Sequence, residues 1–90
     1  MGRFPLGQLV ATPGALDALN EAVESVWPYI ARHNQGDWGD VSQEDKAENE
    51  LSLRQGFRIL SAYTLPGGSK IWIITEADRS ATTILLPEEY

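Results

Sequence analysis

Gly56-Phe57-Arg58-Ile59-Leu60-Ser61-Ala62-Tyr63-Thr64-Leu65-Pro66-Gly67-Gly68-Ser69-Lys70-Ile71-Trp72-Ile73-Ile74-Thr75 is the stretch whose reading decides the fold. Two runs rich in β-branched and aromatic residues, 57–64 and 69–75, flank Leu65-Pro66-Gly67-Gly68. Proline presets φ there and glycine accepts positive φ, so the four residues form a turn and the two runs a hairpin. Ile71, Trp72, Ile73 and Ile74 follow one another without a polar break. Such a run predicts a central strand covered, at least in part, on both sides. Residues 76–80 are a polar connection, and residues 81–86 a last strand that Pro87 stops. Both connections are too short for parallel crossovers, so the sheet should be mostly antiparallel.

Upstream of the hairpin the pattern is helical. Residues 6–11 read as a short strand weakened by Gly7. Thr12-Pro13 then offers an N-cap acceptor, followed by a proline where no N–H is needed. Leu16, Leu19, Val23 and Val26 recur at helical spacing, with Asp17, Asn20, Glu21 and Glu24 facing away. Ser25 is placed to cap a second helix that carries Trp27, Tyr29 and Ile30 and ends near His33, with Pro28 in its first turn. Residues 34–41 form a loop dense in Gly, Asn and Asp.

Ser42 opens a third helix, Glu44 and Asp45 suit the positive end of its dipole, and Gly56 terminates it. Its apolar stripe (Ala47 and Leu51, sharing a face with Arg54, and Leu53 nearby) is narrow, which puts the helix at the surface. The expected whole is a single α+β domain over residues 1–90. Its order is β-α-α-α-β-β-β, with about four strands and the helices on one face. The position of the first strand in the sheet stays open.

Composition excludes several function classes. There is no cysteine among the 90 residues, hence no disulfide framework, thiolate zinc site or cysteine nucleophile. No apolar run approaches the ~20 residues that span a bilayer, and the first residues lack the apolar core of a secretory signal, so the expected location is the cytoplasm, without membrane contact. Thirteen acidic against seven basic residues, net −6, argue against direct binding to nucleic acid, which needs cations to displace counterions. Residues 36–50 concentrate this charge. Asp37, Asp40, Glu44, Asp45, Glu48 and Glu50 stand against Lys46 alone, giving five of the six net negative charges.

Two groups of residues offer chemistry. Trp38, between glycines and beside Asp37, Asp40, Glu44 and Glu48, reads either as a plug pinning the loop to the core or as an exposed anchor for a protein partner with a basic surface. Trp27 and Trp72 sit inside periodic elements and read as core. His33, the sole histidine, stands four residues before Asp37, and Glu76, Asp78 and Arg79 form a second polar cluster. These five would serve a small hydrolase or nuclease-like enzyme only if they converged. As a turn the second cluster needs no function: Asp78 bonds its own backbone and Arg79 pairs with an acid. Asp37 and Asp40 do not follow the ligand spacing of a calcium loop, so neither a metal nor a cofactor is expected.

Arg32-His33, Gly36-Asp37-Trp38-Gly39-Asp40, Glu44-Asp45-Lys46-Ala47-Glu48-Asn49-Glu50, Gly56-Phe57-Arg58-Ile59-Leu60-Ser61-Ala62-Tyr63 and Ile71-Trp72-Ile73-Ile74-Thr75-Glu76-Ala77-Asp78-Arg79-Ser80-Ala81-Thr82-Thr83 together resemble short, uncharacterised bacterial proteins carried on plasmids and integrative elements. The resemblance covers nearly the whole chain. It implies a bacterial cytoplasmic setting and an accessory role on a mobile element, in counter-defence or regulation. It assigns no reaction and no functional residue. The expected function is therefore a non-catalytic acidic interaction module, the small enzyme being the alternative. The β-rich C-terminal half leaves an edge through which copies of the chain could pair.

Overall fold

The hairpin forms as its turn chemistry dictates. In the computed structural model, which describes residues 2–90, β2 (Ile59–Thr64) pairs antiparallel with β3 (Lys70–Thr75), and β3 pairs antiparallel with β4 (Ala81–Leu85). The first strand, β1 (Gln8–Ala11), joins the far side of β4 in parallel, giving the order β1-β4-β3-β2. The domain is α+β, with a mixed sheet in which two of the three strand pairs are antiparallel. After Leu86 the chain makes a single 3-10 turn at Pro87–Glu89.

The helix signals in the sequence act where they stand. α1 (Pro13–Glu21) starts with Thr12 Oγ1 accepting the Ala15 N–H at 3.1 Å. α3 (Gln43–Gln55) starts with Ser42 Oγ accepting the Asp45 N–H at 3.0 Å, and stops at Gly56 in the left-handed region. Between them α2 (Trp27–Asn34) is the exception: its N-cap is Val26, with no side-chain cap bond, and Ser25, expected as the cap, lies one position earlier, its Oγ accepting the Trp27 N–H.

Which sides of the helices face inward differs from expectation on all three. On α1 the buried residues are Ala15 and Leu19, backed by Ala18, Ala22 and Val26. Leu16 is exposed and Val23, 88% exposed, sits past the helix end at φ 55°. The helix stops at Glu21, so the seven-residue extrapolation from Leu16 to Val23 leaves the helical period. On α3 the expected stripe is outside: Ala47 and Leu51 are exposed, and the buried side is polar, Asn49 and Ser52, with Leu53 beside them. Asn49 is tolerated there because it meets backbone. The Asn49 carboxamide accepts the Leu60 N–H at 3.1 Å and donates to the Leu60 carbonyl at 2.7 Å. Trp27, read as core, is 62% exposed at the first position of α2.

One face of the sheet carries the core. Tyr63, Ile71, Ile73 and Ile84 pack against Ala15 and Leu19 of α1 and Tyr29 and Ile30 of α2. A second cluster of Phe4, Trp38 and Ile59 lies beside it, with Leu53 of α3 against it. On the opposite face, Trp72 is half-buried and carries the Tyr90 ring edge-on at 5.6 Å.

Candidate functional site

The inward positions of the strands are not all apolar. Ser61 lies between Ile59 and Tyr63, Thr75 follows Ile71 and Ile73, and Thr82 precedes Ile84, all fully buried. α2 delivers His33 to them, one turn on from Tyr29 and Ile30. Its Nδ1 lies 2.6 Å from Ser61 Oγ and its Nε2 2.9 Å from Thr75 Oγ1. Thr75 Oγ1 is 2.7 Å from Thr82 Oγ1, which donates to the Leu6 carbonyl at 2.7 Å.

That carbonyl sets the direction of the whole chain, because it can only accept. Thr82 spends its proton on Leu6, so Thr75 donates to Thr82, and Thr75 in turn accepts from His33 Nε2–H. In the neutral ring Nδ1 then accepts from Ser61 O–H. Burial pushes the His33 pKa down to about 4, so the ring is neutral near pH 7.

A serine hydroxyl donating to an imidazole nitrogen is the geometry of an activated nucleophile. Here it has no access. Neither Ser61 nor His33 has exposed surface, and the Phe4 and Trp38 rings stand edge-on to the imidazole at 5.3 and 6.0 Å. The pair holds α2 to the sheet.

The residues expected beside His33 are engaged elsewhere. Asp37 takes the Arg32 guanidinium, Nε to Oδ2 at 2.7 Å, which holds its carboxyl below the usual carboxylate range. Arg32 also lies over the Tyr63 ring, 4.6 Å from its centroid, and Tyr63 donates its hydroxyl to the Asp37 carbonyl. Burial pushes that phenol up to about 12. Asp40 accepts the Thr64 hydroxyl at 2.7 Å.

Trp38 is the plug of the two readings, 4% exposed, with its indole N–H donating to Glu50 at 3.1 Å. As an exposed anchor it is corrected: its ring stacks on Phe4 inside the second cluster. Gly39 next to it has φ +76°, and a Cβ there would stand 2.0 Å from the Ala62 carbonyl oxygen. That close approach lets the loop run as a short parallel bridge along β2.

The second cluster is a turn. Asp78 accepts the Ser80 N–H at 2.9 Å and Glu76 is exposed. Arg79 pairs with neither acid, contrary to expectation. Its guanidinium donates to the carbonyls of Ser52, Phe57, Glu76 and Ala77, tying the end of α3 and the start of β2 to the β3–β4 turn. Glu50, not singled out from sequence, holds both Trp38 and the Arg3 guanidinium. Among the described residues no three His, Asp or Glu side chains come close enough to hold a metal ion.

The outside of α3 carries three of the free acids; Asp17, Glu21, Glu76 and Glu88 are also exposed and unpaired among the described residues. Glu44, Asp45 and Glu48 are exposed and form no ion pair or side-chain hydrogen bond among the described residues. A cleft beside them is lined by Asp45 and Glu48 on one wall and Phe57, Arg58 and Leu60 on the other. Arg58 is turned away from the acids: it donates to the Tyr90 hydroxyl and lies over that ring. Among the described residues no helix is long and apolar enough to cross a membrane. Comparison with protein-family models, with curated proteins and with solved structures found no match.

Proposed function

We propose that this domain is a non-catalytic interaction module that presents the outer face of α3 to a basic protein partner. The observation that carries this is the contrast in how its polar groups are used. His33, Asp37, Asp40, Asp78 and Arg79 are spent on internal bonds, whereas Glu44, Asp45 and Glu48 stand within one turn of each other on α3, exposed and without a counter-ion among the described residues. The other unpaired acids, Asp17, Glu21, Glu76 and Glu88, lie outside this helix. The cleft beside them suits a lysine or arginine side chain, its methylenes against Phe57 and Leu60 and its charge toward Asp45 and Glu48. Such a surface contributes chiefly through steering and register, and its attraction falls with salt.

The accessory role on a bacterial mobile element, in counter-defence or regulation, and the cytoplasmic setting rest on the resemblance of the stretches quoted above. Direct binding to bare nucleic acid is not part of the reading, given the net charge of −6.

Titration of the protein with a lysine- and arginine-rich peptide tests the surface. Binding at low salt that weakens as salt rises, and is lost in Glu44→Lys/Glu48→Lys, supports it. No binding at low salt, or binding that survives the charge reversal, contradicts it.

A further inference from the structure

The two edges of the sheet are finished in opposite ways. On β2, Leu60 and Ala62 turn their backbone groups away from β3, and both are satisfied. Asn49 holds Leu60, and Ala62 donates to the Trp38 carbonyl at 3.0 Å and accepts the Asp40 N–H at 2.7 Å. On β1, the Gln8 N–H bonds to the Ser80 carbonyl and the Thr12 N–H to that of Ile84, so residues 8, 10 and 12 address β4. The period of two turns the N–H and C=O of Leu9 and Ala11 outward. Among the described residues nothing pairs with them. An edge in that state is a template for another strand.

Charge says which strand. Residues 4–16 contain no charged side chain, in a chain with 13 acids and 7 bases. Two copies at net −6 each repel wherever their acids meet, and β1 lies within the long uncharged stretch. The strand carries no lysine, proline or bulge of the kind that blunts an edge; only its four-residue length protects it. Leu9, Val10 and Leu16 of that stretch are each between 38% and 47% exposed.

We infer that β1 pairs antiparallel with β1 of a second copy, about a two-fold axis between their Val10 residues. The free groups fix this register. Leu9 of each copy exchanges two N–H···O bonds with the other copy's Ala11, so four bonds use all eight outward groups. Val10 then stands opposite Val10 in the close, non-hydrogen-bonded position, with Cα atoms about 4.5 Å apart. The sheet runs on through eight strands. Because α3 lies against β2 at the opposite edge, the dimer carries one acidic helix at each end, with the outermost strands about 34 Å apart at ordinary strand spacing. So small an interface makes a reversible dimer, not an obligate one. The dimer does not depend on the reading of α3, and salt separates the two: screening strengthens pairing of like-charged copies and weakens capture of a basic partner.

The chain has no native cysteine, so a single introduced thiol reports the register. Val10→Cys should form a disulfide-linked dimer under mild oxidation, since its two Cα atoms fall within bridging range. Leu9→Cys should not, its like pair lying about 8 Å apart by strand rise and spacing. In sedimentation velocity the wild-type mass should climb toward twice the monomer with concentration, more so at high salt. Leu9→Pro, which removes an outward N–H and no β1–β4 bond, should remain monomeric with an unchanged melt, as should Val10→Lys, which sets like charges on the axis. A wild type monomeric at every concentration, or equal cross-linking at positions 9 and 10, overturns the dimer.

Discussion

His33 Nε2 donates to Thr75 Oγ1 at 2.9 Å, and this bond is one of the four links of a buried chain whose direction is set by the Leu6 carbonyl at its far end. Protonating the ring would make Nδ1 a donor as well. Ser61 would have to reverse, and a cation would sit where no water reaches it.

Stability should therefore depend on pH above the carboxylate range. The unfolded chain takes up a proton near pH 6.5, and the folded chain does not until about pH 4. Between these values the unfolded state binds more protons, so stability falls as pH falls, by about 3 kcal/mol across the window. Asp37 and Glu50, held down mainly by hydrogen bonds from Arg32 and Arg3, lose their contributions only below their ordinary values, at more acid pH. Urea melts at pH 7, 6 and 5 check this. Equal midpoints would contradict the buried neutral imidazole.

Trp38→Ala should cost about 3–5 kcal/mol, enough to unfold much of so small a domain. It empties the second cluster, uncovers one side of His33 and leaves Glu50 without the indole donor. A thermal melt reads the loss. A melt near wild type would mean that the ring is dispensable to the core.

How much of this was legible in the sequence follows the range of the interactions. Thr12-Pro13, Ser42 and Gly56 act within one helical turn, and Pro66-Gly67-Gly68 within one hairpin, so their signals sufficed. Asn49 was missed as an inward residue because its partner, the Leu60 backbone, belongs to another element. The parallel pairing of β1 with β4 is non-local in the same way. The buried polar chain did leave a signal. Ser61, Thr75 and Thr82 occupy inward positions of strands otherwise filled by Ile and Tyr, and hydroxyls there call for a buried partner. The sole histidine, on the same side of α2 as Ile30, was the residue to supply it.

Arg79 combines a stabilising side chain with a strained backbone, φ 61°. Arg79→Ala should lose the four carbonyl contacts and keep the strain, costing about 1–2 kcal/mol. Arg79→Gly loses the same contacts but relieves the backbone, and should melt above Arg79→Ala. The reverse order would show that the turn is not strained.

Val23 gives the converse case, a β-branched residue at φ 55° with an almost fully exposed side chain. Val23→Gly should stabilise by about 1 kcal/mol, raising the melting temperature by roughly 4–8 °C. A lowered melting temperature would mean that the valine side chain contributes more than its backbone costs.

The most direct test of the interaction module is capture of its partner from a bacterial lysate with two charge variants of the domain. Glu44→Lys/Asp45→Lys/Glu48→Lys changes only exposed carboxylates, whereas Asp37→Asn/Asp40→Asn changes acids already committed to Arg32 and Thr64. The α3 surface predicts that the triple variant, folded as wild type by its melt, loses the captured protein and that the double variant retains it. Retention by the triple variant, or loss confined to the double one, would contradict it.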